Sequence, residues 1–180
     1  MSELVLGIDA GNTKTIALIA DLSGQVLGWG RAGRSNIYVQ PARALAALKA
    51  AVARARDSAG LDDLPLATLT LSAAGADWPE DFGVLEAELR RWNWAEQAVV
   101  VNDAVGALRA GSLDGQGVTV VCGTSAGIAA RHPGQAQALT DYVVAVLTGL
   151  STTARAGQGR ERLLGTAGLA AAAVRAALAP

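Results

Sequence analysis

From Leu4 to Arg131 the short apolar runs follow one order, and that order constrains the fold more than any other feature of the chain. Leu4 to Asp9, Thr15 to Asp21 and Gln25 to Gly30 are β-type runs separated by AGNTK and LSGQ, which are turn chemistry, so the chain starts as an antiparallel meander. Pro41 then opens a long segment whose Leu45, Leu48 and Val52 spacing and closing Gly60 predict an amphipathic helix. After it the pattern alternates: a strand over Leu66 to Leu71, a helix over Pro79 to Trp92, a strand over Ala98 to Val101, a helix over Asp103 to Ala110 and a strand over Val118 to Cys122. A meander followed by right-handed crossovers implies an α/β domain: one mixed five-stranded sheet, flanked by helices, antiparallel on one side and parallel on the other.

Composition removes several classes of partner. The 180 residues are 51% hydrophobic and 17% charged, a globular balance with enough apolar surface for a sizeable core. A formal charge of −1 leaves no basic stripe for nucleic acid and no polybasic segment for an anionic membrane. The longest uncharged apolar stretch, Leu163 to Val174, is too short and too rich in Gly and Ala to cross a bilayer, and MSELVLGIDAG is not a signal peptide. A cytoplasmic location is expected. With Cys122 the sole cysteine, in an apolar strand, an internal disulfide or cysteine metal cage is excluded.

Three stretches carry chemistry. In GIDAGNTKT, Gly7 to Thr15, an acid ends the first strand and Gly11, Asn12 and Thr13 form a tight connection, followed by Lys14. Backbone N–H groups in such a turn can cradle an anion, and a carboxylate beside it can hold a divalent cation that neutralises phosphate. In VVVNDAVGAL, Val99 to Leu108, Asp103 follows the end of a parallel-type strand, the edge at which open α/β sheets bind ligands, and could accept a proton from an attacking hydroxyl. In VTVVCGTSAG, Val118 to Gly127, a strand delivers Gly123, Thr124 and Ser125 into a second turn rich in donors. Each has a plainer alternative: a hairpin turn for the first and third, and for the second an N-cap made by Asn102 or Asp103.

In that order the stretches resemble the BadF/BadG/BcrA/BcrD ATPases, the group of the actin-like ATPase and sugar kinase superfamily that includes N-acetylglucosamine kinases. AGRSNIYVQPARAL, Ala32 to Leu45, and LSAAGADWPEDF, Leu71 to Phe82, extend the match, which runs from Leu4 to about Arg131. The resemblance implies a ribonuclease-H-like first domain over residues 1–114, and over 115–180 the opening strands of a truncated second domain with an unmatched tail. It implies ATP and Mg²⁺ as cofactors: Asp9 on the metal, Gly11, Asn12, Thr13 and Lys14 on the γ-phosphate side, and Gly123, Thr124 and Ser125 on the β-phosphate side. Asn36 would bind a sugar hydroxyl or acetamido group, and Asp103 would bind the acceptor and act as catalytic base.

Two departures accompany the match. Ser125-Ala126 stands where the family usually has Gly-Ser, and after Arg131 nothing aligns: HPGQAQALTDYVVAVLTGLSTTARAGQGRERL shows no pattern of the family's second domain. A C-terminal helix is expected over Glu161 to Ala179, and His132 is expected at the surface. The leading expectation is therefore sugar phosphorylation, favouring N-acetylglucosamine, impaired in this chain because one domain cannot close over a nucleotide. An ATPase that activates a partner enzyme, a type III pantothenate kinase-like enzyme and an inactive sugar- or protein-binding half-module stay open. Unpaired strand edges around Val118 to Cys122 lead to the expectation of a homodimer.

Overall fold

A computed structural model describes residues 3–62, 65–112, 114–122, 126–132 and 134–178, which fall into two compact units, Met1–Gly106 and Ala107–Pro180. The first contains β1 (Leu4–Ala10), β2 (Thr15–Asp21), β3 (Val26–Ala32), α1 (Pro41–Ala59), β4 (Leu66–Ala73), α2 (Pro79–Trp92) and β5 (Ala95–Asn102), and the start of α3 (Asp103–Gly111). Its five strands form one sheet in the order β3-β2-β1-β4-β5. β2 runs antiparallel to β1 and β3, whereas β4 lies parallel to β1 and β5 parallel to β4. The mixed sheet is the one expected from the order of apolar runs.

Strand alternation puts Leu6, Ile8 and Ala10 of β1, Ala17 and Ile19 of β2, Leu69, Leu71 and Ala73 of β4 and Val100 of β5 into one core. Each fully buried Leu or Ile there contributes roughly 1.5–3 kcal/mol relative to exposure. α1 and α2 cover that face through Ala44, Leu48, Ala51, Val52 and Ala55, and through Leu85 and Leu89. Pro41 starts α1, and Gly60 ends it in the left-handed conformation at φ 65°, its N–H returned to the Asp57 carbonyl. The α1–β3 contact is made by backbone: a Cβ at Gly30 would lie 2.0 Å from the Ala51 carbonyl oxygen. These strand glycines exist so that the helix can lie flush on the sheet.

β3 and β5 both extend past their apolar runs, β3 to Ala32 and β5 back to Ala95. Ladder hydrogen bonding with a neighbour carries a strand through polar residues such as Glu96 and Gln97, which face solvent on this sheet edge.

In the second unit β6 (Gly117–Cys122) and β7 (Ala126–Arg131) form an antiparallel pair, followed by α4 (Ala136–Arg155) and α5 (Arg160–Ala177). α4 falls in the stretch that shows no pattern of the family's second domain; Leu139, Val143, Val146 and Leu150 repeat there at helical spacing, and Leu139 and Val143 are buried. α5 agrees with the expected C-terminal helix, whose last expected residue, Ala179, lies outside the described residues, and it buries no side chain. His132, expected at the surface, is half-buried, with its Nδ1 enclosed and without a hydrogen-bond partner among the described residues. No described helix is long and apolar enough to cross a membrane.

Candidate functional site

Register fixes where the candidate residues meet. Ala10 of β1 pairs with Ala73 of β4, which pairs with Asn102 of β5, so the three parallel strands end level at one sheet edge. Asp9 stands one residue before that edge, on the face opposite α1 and α2, beside Ser72. α3 lies on this same face: a Cβ at Gly106 would sit 2.2 Å from Ser72 Oγ. That close approach brings Asp103, in the first turn of α3, toward Asp9 across two strand spacings, about 10 Å of sheet.

Asp9 senses Asp103. Asp9 is reached by solvent yet hemmed in by protein, and this desolvation is the main cause that raises its carboxyl above the ordinary carboxylate range. The Lys14 cation opposes the rise, and the negative charge of Asp103 adds to it. Neither carboxylate has a side-chain hydrogen bond among the described residues. The capping alternative resolves in favour of Asn102: its Oδ1 accepts the Ala104 N–H at 2.8 Å, which leaves the Asp103 carboxylate uncommitted.

The turn Gly11–Lys14 closes on itself through Gly11 N–H to the Lys14 carbonyl, 2.9 Å, so the Gly11 donor is already engaged. It is stitched to the segment after β3 at several points. Ser35 N–H donates to the Gly11 carbonyl at 3.0 Å, and the buried Thr15 hydroxyl bridges the Gly33 carbonyl and the Ser35 hydroxyl at 2.7 Å each. Asn36 Nδ2 donates to Asn12 Oδ1 at 2.7 Å, while Asn36 Oδ1 accepts the Tyr38 N–H at 2.9 Å. The two loops therefore move together. Gly75, at φ 85°, crosses directly over Asn36: a Cβ there would meet its Oδ1 at 3.0 Å.

Several participants carried no sequence signal that was used. Asp81 lies near the start of α2, in the position from which a side chain reaches back to the N-cap, and its Oδ2 accepts from Trp78 N–H at 2.8 Å, Asp77 N–H at 3.1 Å and the Tyr38 hydroxyl at 2.6 Å. The Tyr38 hydroxyl, first, and those N–H groups hold Asp81 below the ordinary carboxylate range, and the same bond pushes the Tyr38 phenol up to about 12. Asp77 Oδ1 accepts from Asn102 Nδ2 at 2.7 Å. The spacing of Trp78 and Asp81 could have pointed to the cap.

Gly123, Thr124 and Ser125 lie outside the described residues, as does the side chain of Cys122. Among the described residues no group of three or more His, Cys, Asp or Glu side chains could hold a metal ion by itself. Asp9 nevertheless fits a Mg²⁺ ion that draws its other ligands from water and phosphate, because a desolvated carboxylate without hydrogen-bond partners gains most from a cation.

The mixed sheet with helices on both faces and acids at its carboxyl edge is that of the actin-like ATPases and sugar kinases. Residues 6–140 match the BadF/BadG/BcrA/BcrD ATPase family, and the chain belongs to that family. Over 121 residues, 67% of this chain, it is 31% identical to an N-acetylmuramic acid/N-acetylglucosamine kinase of Clostridium acetobutylicum, of which it spans 40%. A solved structure from Porphyromonas gingivalis, named as a candidate N-acetylglucosamine kinase, superposes with a TM-score of 0.56 at 26% identity, over 69% of this chain and 43% of that one. Over 51 residues, 28% of this chain, there is also 45% identity to the HTH-type transcriptional repressor BdcR of Escherichia coli strain K12, across 26% of that protein. The chain thus spans less than half the length of each.

Proposed function

We propose that this chain supplies the acceptor-binding and general-base half of an ATP-dependent sugar kinase, with N-acetylglucosamine as the acceptor. The observation that carries the reading is the common sheet edge at which Asp9, the Asn12–Asn36 pair and an uncapped Asp103 meet. Asn36 offers an amide donor to a sugar hydroxyl or acetamido carbonyl. Asp103 accepts the hydroxyl proton as the sugar oxygen bonds to the γ-phosphorus and the bond to the β-phosphate oxygen breaks, releasing ADP. Asn12, Thr13 and Lys14 face the phosphates. Mg²⁺ held at Asp9 would neutralise phosphate charge when bound.

The family match and the kinase relative support the acceptor class, and residues 1–114 are the domain proposed to carry it. Calorimetric titration with N-acetylglucosamine, and separately with ATP and Mg²⁺, tests the reading. Binding of the sugar that is lost in N36A and D103N supports it, and absence of sugar binding overturns it. Association as a homodimer accompanies the proposal, supported by Leu18, Leu27, Trp29 and Val99, all exposed on the sheet face opposite α1 and α2. Sedimentation equilibrium showing only monomer at micromolar concentration would remove that part.

A further inference from the structure

We propose that Asp77 is a positioning residue for Asp103: by gripping the Asn102 amide it keeps Asn102 as the cap of α3 and leaves the Asp103 carboxylate free for the acceptor. The inference rests on the role of Asp103 given above. Asn102 ends β5, and its side chain uses both of its amide hydrogens and one lone pair of its carbonyl oxygen. Its Oδ1 takes the Ala104 N–H at 2.8 Å, and its Nδ2 donates to the Ala76 carbonyl at 3.2 Å and to Asp77 Oδ1 at 2.7 Å. Two acceptors on one side and a donor on the other fix which end of the amide is nitrogen.

The grip matters because Asn102 and Asp103 are adjacent and both are good N-cap residues. If Asn102 let go, α3 could begin one residue later, with Asp103 as its cap and the Asp103 carboxylate spent on the Val105 or Gly106 N–H. A carboxylate used in that way is a weaker base and is turned from the acceptor. Asp77 opposes this start with a charged acceptor, which makes a stronger bond than a neutral one. Its own place is set from α2, since Asp77 N–H donates to Asp81 Oδ2 at 3.1 Å, the oxygen that also receives the Tyr38 hydroxyl and the Trp78 N–H. Asp77 itself is exposed.

The test uses the full chain with the variants D77A, D77N, N102D and D77N/N102D, reading N-acetylglucosamine affinity by calorimetry, amide hydrogen exchange by NMR and melting temperature. Losing a charged hydrogen-bond partner should weaken sugar binding by about tenfold in D77A. Exchange protection should move from the Ala104 N–H to the Val105 or Gly106 N–H. D77N keeps an acceptor, now neutral, and should restore both readouts in part. N102D sets two carboxylates against each other and should be the weakest binder, and the double exchange, which reverses donor and acceptor, should recover much of the loss. Unchanged affinity and unchanged Ala104 protection in D77A overturn the proposal, as does a D77N that behaves like D77A. Should the unsubstituted chain bind no N-acetylglucosamine, the acceptor reading fails by itself. The shift of protection in D77A and its reversal in D77N then decide the role of Asp77: movement supports it, and constancy overturns it.

Discussion

Gly106→Ala probes the contact that seats α3, and the structure sets its sign. The new Cβ would lie 2.2 Å from Ser72 Oγ and 2.8 Å from Ser72 Cβ. Non-bonded carbons settle at roughly 3.5–4.0 Å, so rotating the Ser72 hydroxyl away relieves only the first clash and the helix must lift by about 1 Å. Such overpacking costs about 1–3 kcal/mol. Replacing Gly by Ala in a helix gains about 1 kcal/mol, which leaves a net loss of about 1 kcal/mol within a range from about zero to about 2. In a Ser72→Gly background both obstructing atoms are gone and only the helix gain survives. The same substitution should therefore destabilise the natural chain and stabilise the S72G chain. Urea unfolding of the four proteins measures both effects, and a 1 kcal/mol change corresponds to a shift of roughly 4–8 °C for a unit of this size. Because the lifted helix carries Asp103, N-acetylglucosamine affinity should fall in G106A and return in S72G/G106A. An effect of the same sign in both backgrounds would refute the seating of α3 on Ser72.

Gly30→Ala meets the Ala51 carbonyl at 2.0 Å, backbone that cannot swing aside, and should cost about 3 kcal/mol or more by thermal unfolding, while Gly7→Ala, with open space around it, should be tolerated. Asp9→Asn should raise stability at pH 7 in metal-free buffer. The raised Asp9 pKa means that the folded state holds the proton more readily than the unfolded chain, so folded stability falls as pH rises through that range, and the advantage of D9N should vanish below about pH 4. The same variant should lose Mg²⁺-dependent binding of ATP. Of the two tyrosines, one should ionise near 12 in an ultraviolet titration, and that transition should disappear in Y38F. The Tyr38–Asp81 bond should support stability below about pH 10 and lose that contribution as pH rises through the folded value of about 12.

The sheet was legible because its strands are apolar runs bounded by Gly, Asn, Pro and Asp, and such local signals survive without tertiary information. That Asp9 and Asp103 lie at the carboxyl edge of the sheet was legible for the same reason, since each ends or follows a run whose direction the pattern sets. The pieces that tune the site were not. Asp81, Asp77 and Tyr38 are polar residues in or beside ordinary turns, and nothing local distinguishes an acid that caps a helix and receives a distant phenol from one that faces water. The purpose of Gly106 appears only against Ser72, which lies on a strand. The choice between Asn102 and Asp103 as cap is likewise decided by Asp77 and Ala76, 25 and 26 residues earlier in the chain. α4 is a different case: its helical spacing was present, but no family motif drew attention to it.

Chemical-shift mapping with N-acetylglucosamine shows whether the carboxyl edge of the sheet is an acceptor site. The backbone and side-chain amides of ¹⁵N-labelled chain would be followed during a titration with the sugar alone. An acceptor site there gives saturable shifts confined to Asn12, Ser35 to Tyr38, Gly75 to Asp77 and Asn102 to Ala104, absent in D103N and with glucose weaker than its 2-acetamido analogue. Saturable shifts centred on α4 and α5, or no shifts at millimolar sugar, would contradict it.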